Sequence, residues 1–157
     1  MVALAPTKAF QIPGDWLTVA LSRPADDCYH LFCAVDRTPE WLPILATAVV
    51  TERDPEGRAK RVAFQARLRR ATIGYSCLYR YRDDERRVAW GSLTKTSIAV
   101  RGLAQFQPIG PRACLMTYAL DVRVARGLPP FANAAFAAHS SSATMSQFRD
   151  FARRALP

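Results

Sequence analysis

The feature that most constrains this chain is a run of consecutive period-two segments between residues 48 and 123, joined by turns too short for a crossover helix. Along Lys60 to Arg70, Val62, Phe64, Ala66 and Leu68 alternate with Arg61, Gln65, Arg67 and Arg69. That alternation describes a half-buried strand with a basic outer face. Ile73 to Arg82 repeats the device, with Ile73, Tyr75, Cys77, Tyr79 and Tyr81 on one side and Gly74, Ser76, Leu78, Arg80 and Arg82 on the other. Ala48 to Arg53, Arg87 to Leu93, Ser97 to Gln107 and Arg112 to Arg123 supply further strands, the last with Cys114, Met116, Tyr118, Leu120 and Val122 on one side. Asp54-Pro55-Glu56-Gly57 and Asp83-Asp84-Glu85 read as tight turns. Spacing this close predicts an antiparallel meander.

The flanks have a different pattern. Asp15 to Arg23 alternates as a first strand, and Pro24-Ala25-Asp26-Asp27 opens a short helix, with proline in the first turn and two carboxylates at the positive end of the dipole. Cys28, Leu31, Phe32 and Val35 make its apolar stripe, and the prolines of Asp36 to Pro43 force a compact connection. From Phe131 to Leu156 there is no proline or glycine, and Phe131, Ala135, Ala138, Ser142, Met145 and Phe148 recur at helical spacing. A helix of about 25 residues at 1.5 Å each reaches about 38 Å, enough to lie across a whole sheet. The expectation is an α+β fold: a curved antiparallel sheet of about six or seven strands wrapped around a long C-terminal helix, with two short helices after the first strand. A chain of 157 residues is expected to form a single domain, 1–157, with 1–13 as an N-terminal extension.

Composition narrows the function classes. Half of the residues are hydrophobic and 22% are charged, which excludes wholesale disorder. No apolar stretch approaches the roughly 18 residues of a membrane span, and the first residues do not read as a secretory signal, so a cytoplasmic location is expected. Cys28, Cys33, Cys77 and Cys114 sit within apolar patterns and are expected as buried thiols. The net charge is +9, and ten basic residues against three acidic ones between Arg58 and Arg87 carry most of it. This region offers a possible peripheral contact with an anionic surface. Nucleic acid is an unlikely partner, because no helix-turn-helix, zinc-finger or RNA-recognition signature accompanies the charge. Cys28, His30 and Cys33 fall on different faces of a short helix, so no metal is expected; no glycine-rich cofactor loop or hydrolase elbow occurs either, and no cofactor is expected.

Several stretches resemble the START-related helix-grip (SRPBCC) superfamily, in particular its polyketide cyclase/dehydrase and coenzyme Q-binding branches: Pro24-Ala25-Asp26-Asp27, Val35-Asp36, Pro39-Glu40-Trp41-Leu42-Pro43, Arg87-Val88-Ala89-Trp90 and Phe148-Arg149-Asp150-Phe151. The resemblance covers about residues 14 to 156 and implies a deep, mostly apolar cavity between sheet and helix that holds a lipid, isoprenoid quinone, hormone or polyketide. It carries over no catalytic motif.

The residues point the same way. Phe64, Tyr75, Tyr79, Trp90, Phe106 and Tyr118 lie on strand faces that should meet the helix, with Trp41 nearby, while the helix offers the small side chains Ala135, Ala138 and Ser142. Small residues opposite aromatic walls leave volume, unless Phe131, Phe136, Met145 and Phe148 fill it. His139 is the candidate acid or base. Arg67, Arg82 and Arg101 discriminate: pointing inward they favour an enzyme or an acidic ligand, pointing outward a carrier. The leading expectation is binding or transport of a hydrophobic small molecule. A polyketide aromatase/cyclase or dehydratase and an interaction module using the basic strand face are the alternatives. The oligomeric state is not legible in the sequence.

Overall fold

The computed structural model describes residues 16–93, 98–124 and 141–157. Seven strands form one antiparallel sheet: β1 (Leu17–Leu21), β2 (Leu45–Arg53), β3 (Ala59–Leu68), β4 (Ala71–Arg82), β5 (Arg87–Ser92), β6 (Ile98–Gly110) and β7 (Ala113–Val124). Their spatial order is β1-β7-β6-β5-β4-β3-β2, so the meander runs unbroken from β2 to β7 and β1 closes onto β7. Helix α1 (Ala25–Cys33) and a 3-10 helix over Val35–Glu40 connect β1 to β2, and α2 (Ser141–Ala155) follows the sheet. The fold is the expected α+β helix-grip arrangement. The part of the expected long helix that falls on residues 131–140, and the expected extension 1–13, lie outside the described residues.

Local chemistry explains the boundaries. Pro24 caps α1, with Asp26 and Asp27 in its first turn. Strand β2 starts at Leu45, three residues before the expected Ala48, because Leu45 already pairs with Ala66 across a register shift. In the β2–β3 turn Gly57 takes φ +85°, and the Asp54 carboxylate accepts the backbone N–H groups of Glu56 and Arg58 at 3.0 and 2.8 Å. Arg58 binds Asp54 at 2.8 Å, reaches Asp83 in the β4–β5 turn and lies 4.6 Å over the Tyr81 ring. Tyr29 of α1 donates to the same Asp83 at 2.6 Å. Two turns and a helix are thereby clipped together at one end of the sheet.

These pairings consume much of the basic region. Lys60 and Arg61 meet Glu52, Arg82 and Arg87 meet Glu85, and Arg86 meets Asp26. Arg67, Arg69, Arg70 and Arg80 are exposed, with no ion pair among the described residues. Among those residues no helix is long and apolar enough to cross a membrane.

Alternation is observed as read. Val62, Phe64, Ala66 and Leu68 are buried while Arg61, Gln65 and Arg67 are exposed, and on β6 Val100, Gly102 and Phe106 face inward while Arg101 faces solvent. Leu103 is the exception on its strand, buried on the outer face against Ala89 and Ala119. The inner face divides into two clusters. One gathers Phe32, Trp41, Phe106, Met116, Phe148 and their neighbours under α1 and α2; the other gathers Phe64, Cys77, Ile98 and Val100 toward the opposite end.

Candidate ligand cavity

Inward residues from β3 to β7 converge with the 3-10 helix and its flanks on a cavity of about 70 Å³. Phe64, Tyr75, Cys77 and Tyr79 come from β3 and β4, Trp90 from β5, Val100 from β6, and Tyr118, Leu120 and Val122 from β7. Phe32, Thr38, Trp41, Leu42, Ile44 and Leu45 close one side, and Thr144 of α2 completes the described wall. No charged side chain is among these residues. The cavity has less than half the ~150 Å³ that admits benzene elsewhere, so even a single-ring ligand has to displace wall residues.

An aromatic partition bounds the cavity on one side. Tyr79 stacks on Trp90 at 5.9 Å and 18°, Trp90 meets Tyr118 at 5.9 Å, and Phe32 lies 5.6 Å from Trp90. Behind them Phe148 packs edge-on against Phe32 and Trp41, each at 5.2 Å. Gly102 makes this geometry possible. A Cβ there would lie 2.0 Å from Cζ2 of Trp90, so only glycine lets the indole lie across β6.

The hydroxyls divide by location. Tyr81 and Tyr29 spend theirs on the Ala59 carbonyl at 2.5 Å and on Asp83. Tyr75 and Tyr79 find no hydrogen-bond partner among the described residues. Thr144 sits beside the Tyr118 phenol, close enough to favour its ionised form, and among the described residues neither its buried Oγ1 nor the buried Nε1 of Trp41 has a hydrogen bond of good geometry. Burial pushes the phenols of Tyr75, Tyr79 and Tyr118 well up and the Cys77 thiol to about 12. At neutral pH all four keep their protons; they can donate hydrogen bonds but cannot serve as bases. Tyr75 and Tyr79 are half-buried and line the cavity.

Of the expected site residues, Trp41, Phe64, Tyr75, Tyr79, Trp90 and Tyr118 line the cavity. Phe106 does not. It is fully buried against Tyr29, Phe32 and Phe148 at 6.3, 5.8 and 5.9 Å, because α1 crosses the sheet there and fills the space. Ser142 is exposed, which corrects its assignment to the wall. At about 100° per residue it lies about 120° around α2 from Phe148, whereas Thr144, Met145, Phe151 and Ala152 share the buried side. Ala135, Ala138 and His139 lie outside the described residues. Phe32, Ile44, Leu45, Val100, Leu120, Val122 and Thr144 were missed. Thr144 was within reach of sequence reasoning, since it stands one turn before Phe148 on the same helix face.

No protein-family model matches the sequence, and no curated protein does. Solved structures do match in shape. A START superfamily protein from Mycobacterium smegmatis aligns with a TM-score of 0.74 at 15% identity, over 89% of this chain and 97% of that one. The Zhui aromatase/cyclase from Streptomyces sp. R1128 aligns at 0.72 and 15%, over 91% and 94%. Norcoclaurine synthase from Thalictrum flavum, in complex with dopamine and hydroxybenzaldehyde, aligns at 0.59 and 11%, over 89% and 86%. At these identities the likeness establishes the START helix-grip fold.

Proposed function

We propose that this protein binds an uncharged hydrophobic small molecule in the cavity between the sheet and the C-terminal helix, and carries, sequesters or presents it. A lipid, an isoprenoid quinone or a polyketide belongs to the class. The observation that carries this reading is the wall itself: rings, aliphatic side chains and hydroxyls, with no cation or carboxylate among its described residues. The orientation of the discriminating arginines supports it. Arg67 and Arg101 are exposed, and Arg82 lies on the outer face with Glu85, so none of the three offers a counter-ion to an acidic ligand or a charge for catalysis. Native mass spectrometry of gently purified protein, followed by solvent extraction, tests the reading. A stoichiometric apolar adduct is expected; bare protein that takes up no apolar probe at all would contradict it.

A second reading, a polyketide aromatase, cyclase or dehydratase, draws support from fold likeness to an aromatase/cyclase and from the undissociated phenols of Tyr75 and Tyr79, which can donate to a substrate's oxygens. In that reading His139 is the acid or base, and the pocket orients a flexible chain. His139→Ala separates the two: unchanged ligand uptake is expected of the carrier, and lost turnover with retained uptake of the enzyme.

A further inference from the structure

Folding sorts the cations of the basic region by sheet end. Arg58, Lys60, Arg61, Arg82, Arg86 and Arg87 are ion-paired, all with acids around the β2–β3 and β4–β5 turns. At the opposite end Arg67, Arg69 and Arg70 crowd the β3–β4 hairpin, where Leu68 pairs with Ala71 and Arg69-Arg70 form the turn. All three are exposed, and none has an ion pair or side-chain hydrogen bond among the described residues. Their isolation is written into the sequence: no acid lies between Glu56 and Asp83, and of the 13 acids in the chain only Asp15 falls outside the described residues. Adjacent guanidinium groups without counter-ions repel one another and favour an anionic partner.

The hairpin end is also the hollow end. Phe64 and Tyr75, opposite each other in the register, line the cavity, and Arg69 stands five residues beyond Phe64, about 16 Å along the strand. The Ile44 carbonyl accepts the Arg67 N–H at 2.6 Å, which ties the hairpin stem to the cavity wall. A protruding turn of arginines matches a plane of phosphates, since each guanidinium can engage one phosphate with two N–H groups. Nucleic acid fits less well: Trp16, the exposed indole, precedes β1 at the far edge of the sheet, and no exposed ring beside the hairpin offers a platform for a base. The exposed carboxylates of Asp83 and Asp84 lie at the other end, where an anionic surface would repel them and so orient the molecule.

We propose that the β3–β4 hairpin docks this protein on an anionic lipid bilayer, with Arg67, Arg69 and Arg70 paired to headgroup phosphates and the hollow end of the sheet turned toward the membrane. Resting on the ligand-binding reading above, the bilayer is the source or the destination of the apolar ligand.

The test is sedimentation of the full chain with vesicles of phosphatidylcholine, alone or mixed with phosphatidylserine. Retention on the mixed vesicles at low salt, release as salt rises and no retention on phosphatidylcholine alone are expected. Combining Arg67→Gln, Arg69→Gln and Arg70→Gln is expected to weaken partitioning on the order of a hundredfold, roughly fivefold for each charge held near the surface. Combining Arg53→Gln, Lys60→Gln and Arg61→Gln removes the same net charge from the clipped end, more than a Debye length away, and is expected to stay within about twofold of the unaltered protein. Equal losses in the two triple variants, or no retention of the unaltered protein on mixed vesicles, overturn the proposal. Hairpin-dependent binding of duplex DNA or polyglutamate without vesicle binding overturns it as well. Uptake of p-xylene, followed by NMR on the same proteins, keeps the two readings apart: uptake without vesicle binding leaves the carrier reading standing and removes the docking, whereas hairpin-dependent vesicle binding without uptake does the reverse.

Discussion

At one end of the concave face Phe106, Met116 and Phe148 have no accessible surface; at the other Tyr75, Trp90, Leu120 and Val122 stand half-buried around a cavity. The strands alternate equally well in both regions, so the sheet is not what distinguishes them. Covering elements do. Helix α1 lies over β6 and β7 and brings Tyr29, Leu31 and Phe32, and α2 brings Met145, Phe148 and Phe151, so large side chains meet large side chains. Over β3 and β4 the described cover is only the 3-10 helix and the Leu42–Leu45 stretch, whose side chains reach the rim. Among the described residues, filling and hollowness follow what the connections supply, with the partition of Tyr79, Trp90 and Tyr118 marking the border.

The sharpest way to break this comparison is to truncate one ring in each region. Phe148→Ala removes a side chain touching Phe32, Trp41 and Phe106 and is expected to cost about 3–5 kcal/mol by urea denaturation. Phe64→Ala, beside a cavity that already exists, should cost less and should increase uptake of apolar probes. Equal costs would mean the two regions are packed alike. Next in size is Gly102→Ala, whose methyl collides with the Trp90 ring and should destabilise by ~1–3 kcal/mol while weakening p-xylene binding through the displaced partition. Val100→Phe fills the hollow side. It is expected to change stability by less than about 1.5 kcal/mol and to abolish probe uptake, a separation that no substitution in the filled region should reproduce.

The smallest effect is in pH. Folding raises the Cys77 thiol from 9.0 to about 12, and the phenols of Tyr75, Tyr79 and Tyr118 also rise. In the interval above pH 9 the unfolded chain loses protons that the folded chain keeps, so the stability these groups contribute is complete below pH 9 and falls as pH climbs toward 12. Urea midpoints should be flat from pH 7 to 9 in respect of these groups and decline by pH 11. Cys77→Ser and Tyr75→Phe should each flatten part of that decline.

How much of this was legible in the sequence follows from which signals are local. Period-two alternation and turn residues such as Asp54 and Gly57 act over a few residues, and they placed the strands to within three residues at Leu45. Side-chain orientation came with them, so the inward facing of Phe64, Tyr75, Tyr79, Trp90 and Tyr118 was legible. The residues that failed depended on non-local facts. Phe106 shares a face with Val100, and only the path of α1 shows that one is sealed and the other lines space. Ser142 failed on helix phase, because a stripe of small residues carries little phase information until Phe148 fixes which side is buried. Gly102 gave no sign at all of its contact with Trp90, since that partner belongs to the neighbouring strand.

The central claim, one sealed region and one that accepts a guest, is tested most directly by side-chain NMR during a p-xylene titration. The methyl signals of Ile44, Val100, Leu120 and Val122 are predicted to shift in a saturable, one-site manner, while those of Val88, Met116 and Met145 stay in place. Shifts centred on Met116 and Met145, or none at Val100 and Leu120 up to the solubility of the probe, would contradict the account.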